Sequence, residues 1–82
     1  MKLYLISQDQ NKEYCTYDSA VVAAPDKKTA RNMNPSTGNP MKNWNSPYST
    51  WCNGKKKVTV RYLGEAVDDV EEGVVCASFN AG

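Results

Sequence analysis

Residues 35–57, PSTGNPMKNWNSPYSTWCNGKKK, lie in the middle of an 82-residue chain and show neither the alternation of a strand nor the spacing of a helix. Regular structure is thereby confined to the segments before and after this stretch. It holds three of the chain's four prolines and both tryptophans, and it contains no acid. So long a loop in a compact domain is uncommon and is either functional or disordered. Two tryptophans and Tyr48 argue for order, with the aromatic side chains pinning the loop to a core.

The flanking segments read as short elements. Leu3-Tyr4-Leu5-Ile6 is rich in strand formers and stops at the polar run SQDQNKE. Residues 18–24, DSAVVAA, give a second strand, paired with the first as a hairpin through the loop at 8–15. Asp26 is a suitable N-cap for a helix from Lys27 that ends at Asn34-Pro35, because the residue before proline is pushed out of helical geometry. Ala30 and Met33, three apart, share the helix face that can sit on a sheet. Val58, Val60 and Tyr62 alternate with Thr59, Arg61 and Leu63, the clearest strand in the chain, and Gly73 opens a last strand at 74–79. The expected architecture is a single α+β domain over 1–82: a mainly antiparallel four-stranded sheet with one short helix, in the order β-β-α-long loop-β-β. It predicts that Leu5, Val60, Val75 and Cys76 are core residues. A domain this small buries roughly 60–65% of its unfolded surface, so the core is thin.

Charge is divided along the chain. Residues 1–64 carry ten bases and four acids, a net of +6, whereas 65–82 carry five acids and no base, a net of −5. Two opposite poles favour an oriented encounter with a charged partner. Asp68, Asp69, Glu71 and Glu72 form the acidic pole, as a solvated turn between the last two strands. Their spacing misses that of a calcium loop, so a metal site is not expected.

Chemistry is poorly provided for. The chain has no histidine, which removes the usual general base near neutral pH. Cys15, Cys52 and Cys76 are dispersed and odd in number, as in a reducing cytosol, and none belongs to a C-x-x-C pair. Only Cys52, near Lys55, approaches the setting of an activated thiol, and it reads as an ordinary packing residue. No glycine pattern that cradles phosphate is present, so no cofactor is expected and the chain reads as a binder rather than an enzyme. The opening MKLYLISQ is too short an apolar run for a signal-peptide core, and no stretch has the length of a membrane span. A cytoplasmic location and no membrane partner are expected.

Functional content concentrates in 40–57. Trp44, Tyr48 and Trp51 supply rigid aromatic area, and Lys55, Lys56 and Lys57 a charged rim, a combination that suits a protein hot spot. With Lys42, the same residues could stack on unpaired bases and contact phosphates, which makes a small nucleic-acid-binding module the alternative. A third reading is a subunit that self-associates through an open sheet face, so the chain is a monomer or a dimer.

The run TYDSAVVAAPDKKTAR, then NPSTG, the tryptophan-bearing loop and GVVCASFNAG together resemble a group of small phage-, prophage- and bacterium-associated proteins. This resemblance covers nearly the whole chain and implies no particular activity. Tyr17-Asp18 leading into an apolar strand, followed by a helix with spaced alanines and a later tryptophan, is similar to some small anti-CRISPR proteins, over about half the chain. That resemblance implies a phage-borne, stoichiometric inhibitor of a bacterial defence nuclease, with a host defence protein such as a Cas nuclease as its partner. Residues 65–72 are the only part that could imitate the charge of DNA.

Overall fold

The computed structural model describes residues 1–12, 15–45 and 50–80. Four strands, β1 (Lys2–Ser7), β2 (Thr16–Ala24), β3 (Thr59–Glu65) and β4 (Gly73–Asn80), form one antiparallel sheet in the order β3-β1-β2-β4. The expected fold class is therefore the observed one. β1 and β2 are a hairpin in unbroken register, with Leu5 opposite Val21 and Ile6 opposite Ala20. The two later strands do not pair with each other. They add to opposite edges of the hairpin, and 66–72 crosses the end of the sheet between them.

The one α-helix among the described residues, α1 (Lys27–Arg31), is shorter than the proline boundary allows. Asp26 caps it as expected, its carboxylate accepting the Thr29 amide at 2.8 Å. The helix stops at Asn32 because Met33 turns away to bridge Pro40, and Asn34 closes a turn of its own. The Asn34 side chain accepts the Ser36 amide at 2.9 Å while its carbonyl accepts the amides of Thr37 and Gly38. A short amide side chain that bonds its own neighbours competes with helix continuation. Ala30 and Met33 are both buried, as their spacing predicts.

The main core cluster lies on one face. Tyr4, Ile6, Ala20, Val22 and Ala24 meet Ala30, Met33, Trp51, Cys52 and Val58 there. Helix α1 packs over β1, β2 and β3, β4 adds the half-buried Val74 to the core, and two corrections fall on this last strand. Val75, expected in the core, is 53% exposed, and it sits where the register with β2 shifts between Val21 and Val22. Cys76, expected as a small core residue, is exposed too, because it pairs with Val21 and so shares with Leu5 the face opposite the core cluster. Leu5 and Val60 are half-buried: Leu5 is on the opposite face, beside Val21 and Arg61, and Val60 is toward an edge, opposite Ile6. No helix among the described residues is long and apolar enough to cross a membrane.

Candidate protein-binding surface

The end of the sheet where β1 stops and β3 starts is held by hydrogen bonds between segments far apart in sequence. Gln8, nearly buried, uses its whole amide: Nε2 donates to the carbonyls of Asn11 (2.7 Å) and Tyr17 (2.8 Å), and Oε1 accepts the amides of Gln10 (2.9 Å) and Asn11 (2.7 Å). The turn so fixed takes hold of the long loop. Asn11 Nδ2 donates to the Trp51 carbonyl at 3.1 Å, and the Asn53 amide donates to Gln10 Oε1 at 3.0 Å. From the side, the Tyr17 amide donates to the Thr50 carbonyl at 2.8 Å.

After this junction the chain makes a 3-10 turn at Lys55–Lys57, closed by the Lys57 amide on the Gly54 carbonyl and the Val58 amide on the Lys55 carbonyl. Arg31 reaches across from the helix and donates to the carbonyls of Val58 and Lys55. All three lysines are exposed, so their charges stand on a backbone fixed from two sides. Arg61, on the strand that follows, is exposed as well.

The aromatic residues expected to act together are divided by the structure. Trp51 is 1% exposed, the largest fully buried side chain of the core, and offers no surface to a partner. Its role as an external anchor is therefore replaced by an internal one, since the small core has room for an indole beneath the loop. Trp44 is half-buried against the same core and keeps an outer surface. Tyr48 lies outside the described residues. Sequence reasoning missed Tyr62, which is 54% exposed at the β3 edge, its ring edge-on to Tyr4 at 5.8 Å. Its hydroxyl donates to Glu65 Oε2 at 2.7 Å, and that acceptor pushes the phenol above its usual range. Tyr62 pairs with Tyr4 and shares the face of Val60. What exposes it is the outermost position of β3, which alternation does not encode.

Cys52 is fully buried, and burial pushes its thiol up, with the Gly54 backbone and Lys57 opposing more weakly. That disfavours the thiolate a nucleophile needs. No cluster of three metal-binding side chains occurs among the described residues. A cleft of about 280 Å³ beside the loop is lined by Asn34, Asn39, Asn43, Pro40 and Met41, with Lys42 its one ionisable group.

The acidic residues Asp68, Asp69, Glu71 and Glu72 are all exposed in the connection across the other end of the sheet. Thr59–Glu65 separates the two poles, a distance of roughly 20 Å at ~3.3 Å per residue. Comparison of the chain with family models, with curated proteins and with solved structures finds no match.

Proposed function

We propose that this chain is a non-catalytic protein-binding module that meets an acidic surface of its partner with the Lys55–Lys57 turn, flanked by Arg61, Tyr62 and the outer surface of Trp44. The observation that carries the reading is the support under the charge. Three consecutive lysines project from a turn whose backbone is fixed by Arg31 and by its own hydrogen bonds, so little order remains to be imposed on binding. The acidic connection at the far end steers the approach without touching. Following the sequence resemblance, the partner is a bacterial defence nuclease and the module a phage-borne inhibitor acting in the host cytoplasm. The burial of Trp51 takes away one of the stacking surfaces that nucleic-acid binding would use.

The test pairs affinity capture from bacterial lysate with gel-shift titrations on single- and double-stranded DNA and RNA at two salt concentrations. The expected result is a captured nuclease that is lost when Lys55, Lys56 and Lys57 are changed to Glu, with no shift of nucleic acid. Salt-sensitive nucleic-acid binding that the same variant abolishes would overturn the reading, since phosphate contacts weaken steeply with ionic strength. Capture that survives this variant but fails when Asp68, Asp69, Glu71 and Glu72 are neutralised would move the contact to the other pole.

A further inference from the structure

Among the asparagines of the chain, Asn53 alone is followed by glycine, and the fold does not need that glycine. Gly38, Gly64 and Gly73 have positive φ, which accounts for them. Gly54 has φ −177° and ψ 141°, extended backbone open to any residue. A Cβ there would meet only the Lys57 Cγ, at 3.9 Å, an ordinary contact. Asn53 is exposed, and among the described residues only its backbone amide is engaged, with Gln10. The carboxamides of Asn11, Asn34 and Asn43, by contrast, are held in hydrogen bonds. The Gly54 carbonyl accepts from the Lys57 amide and the Cys52 thiol, but the Gly54 nitrogen donates to no described residue. An uncommitted carboxamide therefore stands next to an uncommitted, unhindered backbone nitrogen. We propose that Asn53 is a site of spontaneous deamidation, which puts a carboxylate at the foot of the lysine turn and weakens that surface as the protein ages.

Solvent hydroxide takes the proton from the Gly54 nitrogen, which attacks Asn53 Cγ. The new N–Cγ bond closes a succinimide ring as the Cγ–Nδ2 bond breaks and ammonia leaves. Water then opens the ring at one of its two carbonyls. Opening at Cγ gives aspartate on the original main chain, and opening at the other carbonyl gives isoaspartate, with the main chain rerouted through Cβ and Cγ. In sum one water is consumed and one ammonia released, with no oxidation or reduction. Proline offers no N–H for this attack, which spares Asn34 and Asn39. Either product sets a negative charge two residues before Lys55, against the three exposed lysines. Isoaspartate also lengthens the backbone between the Asn53 amide, which Gln10 holds, and the Gly54 carbonyl, which closes the turn. The effect on binding rests on the reading of the lysine turn as the contact surface, whereas the modification itself does not.

The full chain is aged over days in neutral and in mildly alkaline buffer and mapped by peptide mass spectrometry. The expected result is a gain of one mass unit at Asn53 ahead of every other asparagine, as mixed aspartate and isoaspartate, faster at the higher pH. Gly54→Ala should keep the melting temperature and slow the gain at least about tenfold, because a Cβ obstructs the attacking nitrogen. No gain at Asn53, or a gain equally fast in Gly54→Ala, overturns the proposal. Binding is read with poly-glutamate as the acidic probe. Asn53→Asp should weaken it about two- to fivefold, the worth of one exposed charge pair. Binding that survives Asn53→Asp but is lost in the triple lysine variant overturns the ageing of the surface and leaves the lysine-turn reading in place. Binding that survives both variants overturns that reading, and the ageing of the surface falls with it.

Discussion

Arg31 ties the helix to the entry of β3: its Nη1 donates to the Val58 carbonyl at 2.8 Å and to the Lys55 carbonyl at 3.3 Å. Both ends of the lysine turn therefore hang on one guanidinium. Arg31→Met keeps most of the apolar stem and removes the donors, and should cost about 1.5–3 kcal/mol, the range for hydrogen bonds involving a charged group. Arg31→Lys should recover only part, because both bonds come from the one terminal nitrogen Nη1 and the lysine side chain ends a bond short of it. Urea denaturation measures the loss. Hydrogen exchange should locate it, with the Lys57 and Val58 amides exchanging faster.

The two tryptophans should separate cleanly under mutation. Trp51→Ala empties the centre of the core and should cost about 3–5 kcal/mol, much of the stability of so small a domain. Trp44→Ala removes a half-buried side chain and should leave the chain folded, with weakened partner binding. Circular dichroism and thermal melts of both variants decide the matter. Equal unfolding would mean that Trp44 is as much a core residue as Trp51.

Asp26 sets the acid limit of the helix. Its carboxyl is held below the ordinary value, first by the Thr29 amide it accepts, then by the Thr29 side chain, and weakly by Lys28 and Lys2. A lowered folded-state value means that the cap contributes fully above the ordinary carboxylate range. The contribution is lost as pH falls below about 4 through the folded value. Asp26→Ala should lower the melting temperature by a few degrees at neutral pH and flatten its fall in acid. A variant as steeply acid-sensitive as the parent would show that other carboxyls govern the transition.

Gly38 is required twice over. Its φ is +80°, and a Cβ there would stand 3.3 Å from the Gly73 Cα and 3.4 Å from the Val74 nitrogen. Backbone atoms cannot swing aside as a side chain can. Gly38→Ala should cost about 1–2 kcal/mol from the left-handed conformation alone, plus the displacement of the turn from the start of β4. Urea midpoints measure the cost, and chemical shifts at Gly73 and Val74 report the displacement.

The parts of the fold legible in the sequence were those fixed locally. Alternation in 58–63, the apolar run at 18–24 and the Asp26 cap each depend on a few adjacent residues, and they fixed the elements and the fold class. The order of strands depended on which partner each late strand found, and nothing local to Val75 or Cys76 records the register with β2 that puts one in a bulge and the other on the face opposite the core. The same gap hid the exposure of Tyr62 at the β3 edge. Helix length was overstated because the side chain of Asn34 closes its turn before Pro35 can act. At the candidate site, the lysine cluster could be read directly from the sequence. Whether a tryptophan faced outward or inward could not, since the same aromatic composition serves an interface and a core.

The crossing connection at 66–72 has a kinetic consequence. With β3 and β4 on opposite edges of the first hairpin, Leu5 must find Arg61 and Val21 must find Cys76. The hairpin can close early, through a short loop, but each outer strand joins it only across some fifty-five residues of chain. Contacts so far apart in sequence bear the full entropy of loop closure before they return any stability, which puts folding in the millisecond-to-second range of sheet proteins. Until β4 arrives, one edge of β2 has no strand partner, and its apolar face is covered by the helix side alone. A chain of this topology is thus most exposed to mispairing late in folding, when its uncharged last strand is made but not yet docked.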